Sequence, residues 1–426
     1  MTSVYEESDK GNLNVDLVDE FIANGHSVDV ITPVERKTGR RFEINDYGRL
    51  RVIRFPCLNF RGRVNLIEKG ISTLVLGYQY LYVVARVLRK TKYDLATYTT
   101  LPITYAPALR WLKRRHGTFR YLLQKDFFPQ SAIDLGLMSR KSVTYRLFRR
   151  IERQLFEESD AIGVMSEKNV QYLLAHEQYV QPEQVEVCPN SIKPFNEETV
   201  ESLKAKRDEV RERYGIPSDA VVYVYGGNIS RAQGIESIID IVENFGQCEG
   251  SYLLFVGGGN EVPRLQAATA RSATQNVRVI SYLPKDEFDR LLAACDVGLV
   301  FLDPRFTIAN IPSRMLAHLN MSQAIVAATD EYTDFRLIVE EPPLGLWGLS
   351  GDTGKFVENV NRLTADPSLR EKLGENGRQF LERECNVGLS YDVIMRHLPT
   401  LNRHVTSGSG LDERELEWNG VTYEWA

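Results

Sequence analysis

The chain has 426 residues, of which 43% are hydrophobic, 10% aromatic and 26% charged, with a formal net charge of -5. That length exceeds one ordinary hydrophobic core and implies two domains of about 200 residues each, while the composition excludes a disordered, fibrous or disulfide-stapled chain. The charge is unevenly placed: residues 1–190 hold 28 Lys+Arg against 22 Asp+Glu and the remainder 24 against 35, so a basic half precedes an acidic one.

A basic half suits an anionic surface, phospholipid as readily as nucleic acid, or is solvated charge without a partner. The start, MTSVYEESDKGN, has acids where a secretory signal needs an apolar core, and only Met1 to Tyr5 precede them where an α/β domain opens on a strand; that first strand reads as clipped. LVDEFIANGH then reads as a helix ending near Gly25, SVDVITP and RLRVIRFP as strands, and Gly70 to Arg89 as a helix. Within it GISTLVLGYQYLYVVA is uncharged but short of the ~20 residues that span a bilayer, which suits a buried or interfacial helix. DLATYTT (strand), ITYAPALRWLKRRH (helix) and RYLLQKD (strand) follow, then a basic amphipathic helix, RKSVTYRLFRRIERQLFEESD, and the strands AIGVMS and VEVCPNSI.

Residues 193–213 are polar and mostly helical, and the domain junction is placed there. Beyond it the alternation restarts with VVYVYGG, a helix from Gln233, SYLLFVGGG, a helix, VRVISYLP, DEFDRLLAACD, VGLVFL, IPSRMLAHLN and AIVAATD. Two successive βα arrays imply two doubly wound, Rossmann-like domains facing across a cleft: residues 1–195, residues 196–385, and a tail from 386 to 426 with a helix returning to the first domain. Ligands of such sheets bind outside the carboxyl ends of the strands.

Three strands of the second half end in turns, YVYGGNISRAQG, LLFVGGGNE and VISYLPKDE. The glycines of the first two let backbone N–H groups approach an anion, or simply serve turn geometry; on adjacent strands these turns suit a nucleotide lying across one sheet edge. Neither GxxxxGK[ST] nor GxGxxG occurs, which excludes a P-loop and weighs against a dinucleotide cofactor. Arg231 and Arg314 follow strand ends and are either surface arginines or anion ligands, since guanidinium forks match diphosphate oxygens without a metal. Asp126, after RYLLQ, faces a cleft as an orienting or proton-accepting carboxylate, or caps the helix near Gln130. Gly11, beside Asn12 in SDKGN, brings backbone near a phosphate or is a loop glycine. His26 and His318 read as structural. Five scattered cysteines (Cys57, Cys188, Cys248, Cys295, Cys385) without metal spacing point to a reducing compartment and against structural zinc. No nucleophile elbow or Ser-His-Asp order supports hydrolysis.

NGHSVDVIT, DFFPQSAIDLG, VEVCPNSI, YGGNISRAQG, FVGGG and the run from CDVGLVFLDPRF through IPSR to AIVAATD together resemble the GT-B fold glycosyltransferases, most closely family 4, over residues 2–400. The resemblance implies a retaining, metal-independent transferase without cofactor, acting in the cytoplasm or at the inner membrane face. It implies a nucleotide-sugar donor on the second domain, a glycan or polyprenyl-linked acceptor on the first, and no nucleic acid. It places Gly226, Gly227, Asn228, Arg231 and Gln233 in the diphosphate loop and Gly257, Gly258 and Gly259 beneath the nucleotide. Ser281, Tyr282 and Leu283 come near the base, Ile311, Pro312, Ser313 and Arg314 at the phosphate and ribose end, and Asp126 on the cleft wall, with Gly11 and Asn12 as an acceptor or phosphate loop. Asn228 and Gln233 stand where the family carries Arg and Lys, and Ala309 and Ala317 where it carries two glutamates. A ribose contact then falls to backbone, Asn310 or Asn320. Two other readings are a GT-B partner that has lost its chemistry and a sugar-nucleotide 2-epimerase.

Overall fold

The structure, a computed structural model, describes residue 5 and residues 11–59, 66–272, 274–341 and 343–398. Thirteen strands lie among these residues. In the first half β1 (Val28–Glu35), β2 (Glu43–Asp46) and β3 (Leu50–Cys57) form one sheet in the order β1-β3-β2. β4 (Leu95–Thr99), β5 (Phe119–Gln124), β6 (Ala161–Val164) and β7 (Val185–Val187) form a second, parallel sheet in chain order. In the second half β8 (Val221–Gly226), β9 (Ser251–Val256), β10 (Val277–Ile280), β11 (Val297–Phe301), β12 (Ala324–Thr329) and β13 (Gly345–Leu349) make one parallel sheet in the order β10-β9-β8-β11-β12-β13.

The two Rossmann-like arrays expected from alternation are present. β2 and β13 were not visible in the sequence. β2 is a polar alternation, EIND, paired antiparallel to β3, and so departs from an all-parallel reading. β13, GLWGL, is a strand because Gly345 lets it lie against Ile325, where a Cβ would run into the Ile325 carbonyl. Of the clipped strand only Tyr5 is described; it is buried with Val15, Val30 and Val52, and the rest of the strand expected over residues 1–4 lies outside the described residues.

Apolar spacing explains the packing. In the helix Ile235–Asn244, Ile235, Ile238, Ile241 and Val242 fall on one face and enter the core under β8, β9 and β11. The helix Val387–Met395 lies against Leu13–Ala23, joining Tyr391 and Ile394 to Leu17 and Phe21, and Tyr391 hydrogen-bonds His26 at 2.9 Å. The chain passes between the halves near Ile192 and again near Asn386, and the two passages pair: Ile192 N–H donates to Cys385 O at 3.1 Å and Val387 N–H to Ile192 O at 3.0 Å.

Strand order reverses between β8 and β11, with β9 and β10 to one side and β12 and β13 to the other. The crevice beyond the carboxyl ends of β8 and β11 is therefore the switch point where such sheets bind ligands.

Candidate functional site

β8 runs out through Gly226 and Gly227 into the 3-10 turn Arg231–Gln233. Gly226 is required because the Phe288 ring occupies the place of its Cβ. The exits of β8 and β9 are knit through glycine: Gly227 N–H donates to Val256 O at 2.9 Å and Ile229 N–H to Gly258 O at 2.7 Å. Cβ atoms at Gly257 and Gly259 would enter the carbonyls of Gly227 and Ile229. Gly257 and Gly259 thus serve close backbone packing, while Gly258 is exposed with open space before it. Gly227 and Asn228 are exposed. The Gln233 side chain is folded back on Ser230, accepting from its N–H at 3.0 Å and its hydroxyl at 2.7 Å, so it closes the turn. Asp303, beyond β11, donates its N–H to Ala232 O at 3.0 Å and ties the two exits together.

Arg314 reaches this floor from the other side of the crevice. Its Nη1 donates to the Tyr225 hydroxyl and to Gly226 O at 3.4 Å, and its guanidinium lies 4.6 Å from the Tyr225 ring centre. Tyr225 donates in turn to Asn228 O at 2.7 Å, so one hydroxyl couples the arginine to the glycine loop. Among the described residues no carboxylate pairs with Arg314, and its buried Nε has no partner. Burial lowers its pKa to about 10, which leaves it charged at neutral pH. An enclosed, charged donor without a counter-ion is a place for an anion. The helix that follows, Met315–Asn320, is one short turn and a half, so the cation rather than a helix dipole carries this property. Ile311 is buried, Pro312 half-buried and Ser313 exposed beside it.

Arg231 differs. It lies 3.6 Å from Glu261, a buried carboxylate also bound by Arg264 at 3.2 Å, and its side chain is 54% exposed. It is already engaged, though free to reorient toward an anion. Ser281 and Tyr282 lie exposed on the exit of β10, Tyr282 at 77%, and Leu283 packs partly into the core beneath.

Asp126 lies beyond β5. Its N–H and that of Lys125 both donate to Thr100 Oγ1, at 2.9 and 3.0 Å, joining the exits of β4 and β5. The helix Gln130–Asp134 is capped at Pro129, so Asp126 is not its cap. The residue is exposed, and desolvation by the protein around it raises its carboxyl pKa from the ordinary value. Leu101, on the neighbouring exit, is exposed with φ +62°. Gly11, φ +77°, donates to Asp16 at 3.0 Å, and the Lys285 ammonium sits where its Cβ would point. Asn12 caps the helix Leu13–Ala23 by accepting from Asn14 N–H at 3.0 Å. Gly11 therefore faces the second half, and Asn12 is committed to its helix.

Asn320 is unavailable to a ribose: it is buried, accepting from Phe195 N–H at 2.8 Å and Arg378 at 3.1 Å. Asn310 donates to Ile308 O at 3.0 Å. His318 is buried against Gln323 with its pKa held down to about 4. Tyr225 was missed at the sequence level; its only signal is that it shares a strand face with Tyr223 just ahead of two glycines. Asp330, at the exit of β12, was missed as well: it is fully buried, has one carboxylate oxygen without a partner, and is raised to about 6 by burial.

Comparison with known proteins divides the chain where the strands do. Residues 14–191 match the glycosyl transferase 4-like domain and residues 206–380 the glycosyl transferases group 1 family. The chain is 25% identical over 305 residues to a probable glycosyltransferase, WbjE of Pseudomonas aeruginosa, covering 68% of this chain and 70% of that one. Its fold is similar to that of WaaG, a glycosyltransferase involved in lipopolysaccharide biosynthesis (TM-score 0.62, 15% identity, 93% of this chain and 98% of that one). It is also similar to Anabaena HepE in complex with UDP (TM-score 0.63, 14% identity, 93% and 98%). The chain belongs to the GT-B fold glycosyltransferases of the family 4 type.

Proposed function

We propose that the protein transfers a sugar, with retention and without a metal, from a nucleoside-diphosphate donor to a lipid-linked glycan in cell-surface polysaccharide synthesis. The observation that carries this is Arg314, a charged, enclosed guanidinium with no carboxylate partner among the described residues at the crevice between β8 and β11. The bond from the anomeric carbon to the diphosphate breaks with its electrons passing to the phosphate oxygen. The acceptor hydroxyl oxygen bonds that carbon on the same face, its proton passes to the departing diphosphate, and Arg314 stabilises the charge that develops there without reorganising. Arg231 adds a second, more mobile cation. Tyr282 offers its exposed ring to the base, and Asp126 orients the acceptor hydroxyl from the opposite wall. UDP in HepE and lipopolysaccharide synthesis by WaaG favour the donor and acceptor classes.

The acceptor class also accounts for an exposed face. On the helix Leu66–Tyr82, Ile71, Leu74, Val75, Tyr78 and Tyr82 stand exposed at helical spacing, and Arg86, Arg89 and Lys92 follow, exposed. Such a stripe with a basic end lies in the headgroup region of an anionic membrane. No described helix is long and apolar enough to cross one. The basic helix, Val143–Glu157, contributes less than its composition suggests, because Arg149 pairs with Glu152 and Glu177, and Arg153 with Glu157.

The test is a thermal shift of the purified protein against UDP-, GDP- and dTDP-sugars, since a ligand of the native state raises its melting temperature. One donor raises the wild type and fails to raise Arg314→Ala; the absence of any shift, with Arg314→Ala indistinguishable from wild type, sinks the reading. A second reading, a partner that binds nucleotide without turnover, is favoured by Ala317, which packs into an apolar cluster at a glutamate position of the family. Saturable binding without product from any acceptor, and co-purification with another transferase, would select it.

A further inference from the structure

We infer that Asn169 and Asn190 are positioning residues for this transfer: they fasten the loop that bears Arg314 to the first half, so that the diphosphate contact is complete only while the two halves are docked. The inference rests on the reading of Arg314 as the donor's anion contact.

Three successive carbonyls of that loop each accept one side-chain hydrogen bond. Asn169 Nδ2 donates to Ala309 O at 2.7 Å, Thr333 Oγ1 to Asn310 O at 3.0 Å and Asn190 Nδ2 to Ile311 O at 2.8 Å. Thr333 belongs to the same half as the loop; the two asparagines do not. Asn169 stands in the first turn of the helix Glu167–His176, and its Oδ1 accepts from Ser166 Oγ at 3.3 Å, which fixes the direction of the amide. Asn190 lies just beyond β7. Both are buried, and Met165 and Ile192 of the first half close over the bonds by packing with Ile311 and Met315 of the second. Ile308 goes further and is buried in the core of the first half.

The loop is thus held at two ends by different halves. Residues 308–311 belong mechanically to the first, whereas the Arg314 guanidinium rests on Tyr225 and Gly226 of the second. Pro312 stands between them and stiffens the link, because its ring restricts both itself and Ile311. A displacement of one half against the other must either break buried hydrogen bonds, leaving carbonyls unpaired in an apolar seal, or drag Arg314 off the glycine loop. Loss of the amide donors alone frees the loop and leaves the guanidinium in place chemically but not geometrically.

Two measurements on the full chain test this. Asn190→Asp keeps the shape and removes the donor; Asn169→Ala/Asn190→Ala removes both. Hydrogen exchange of peptides spanning residues 305–316 is expected to quicken about tenfold in the double variant with the cores of both halves unchanged, and unchanged exchange there overturns the inference. In calorimetry with UDP, GDP and dTDP, and each parent nucleoside as control, Asn190→Asp weakens the bound diphosphate about tenfold and its nucleoside little. In an Arg314→Ala background the same change has no further effect. An equal loss in both backgrounds overturns the inference, since the asparagine would then act independently of Arg314. If none of the diphosphates binds the wild type, the transferase reading fails, and the exchange measurement still decides whether the asparagines hold the loop.

Discussion

Among the described residues Arg314 stands out by what its surroundings lack, a carboxylate partner and a partner for its buried Nε. Other arginines have a carboxylate in reach: Arg120 faces Asp160 and Glu158, Arg211 faces Asp296, and Arg305 faces Asp303. Removing the guanidinium by Arg314→Ala is expected to weaken nucleoside diphosphate binding by about 10- to 100-fold, the loss of one or two charge-assisted hydrogen bonds. Arg314→Lys recovers part of it because an ammonium keeps the charge but not the fork; calorimetric titration distinguishes the three proteins. Asp330 gives a prediction of opposite kind. Its folded pKa of about 6 lies above the ordinary carboxylate value, so the folded state holds its proton more tightly than the unfolded chain does. Stability from this group is full below the unfolded value and falls as pH rises through about 6. Asp330→Asn should therefore be more stable than wild type at pH 8, by on the order of 1–3 kcal/mol, with the gap closing toward pH 4; urea unfolding at the two pH values measures it.

At the scale of elements, the strand exits and not the strands specify the site. Gly257→Ala places a Cβ inside the Gly227 carbonyl at a residue with φ +148°, so the exits of β8 and β9 must part. A loss of about 2–4 kcal/mol in urea unfolding, together with loss of nucleotide binding, is the expected outcome. On the other face, Ile71→Asp/Tyr78→Asp interrupts the exposed stripe of the helix Leu66–Tyr82. It should abolish flotation with vesicles rich in phosphatidylglycerol while leaving the melting temperature within a degree or two; unchanged flotation would remove this helix from the membrane contact.

The same scale shows what a sequence can disclose. Strands buried on both faces, such as VVYVYG and SYLLFV, announce themselves as apolar runs, and the glycines after them mark close backbone approach. β2 is hidden because its residues are polar and its pairing antiparallel at an edge. The Gln233 side chain turns inward on Ser230 for reasons of three-residue geometry that composition does not reveal. Asn169 and Asn190 lie 140 and 121 residues from the carbonyls they hold, so nothing local distinguishes them from other asparagines. The likeness to a family points to IPSR as the phosphate end of the crevice, and it leaves Asn320 open to a ribose, a freedom that Phe195 and Arg378 remove.

For the whole molecule, the opposed charges of the two halves have a directional effect. Much of the positive charge of the first half is neutralised internally, with Arg110, Lys113 and Arg120 all bound to Glu158 or Asp160. What remains outward, including Arg86, Arg89 and Lys92, is exposed to counter-ions. Vesicle binding should therefore weaken as sodium chloride rises from about 0.1 to about 0.5 M, whereas nucleotide binding, enclosed in the crevice, should change less. Equal sensitivity of the two would overturn the distinction between an exposed basic face and an enclosed nucleotide site.

The paired passages of the chain at Ile192 and Asn386 set how the halves can turn. A single connection would act as a swivel, open to rotation in any sense. Two passages fixed side by side by backbone hydrogen bonds resist twist and shear of one half against the other. Any parting of the halves would therefore have to break the bonds that Asn169 and Asn190 make to Ala309 and Ile311 before Asp126 and the glycine loop could separate about these passages.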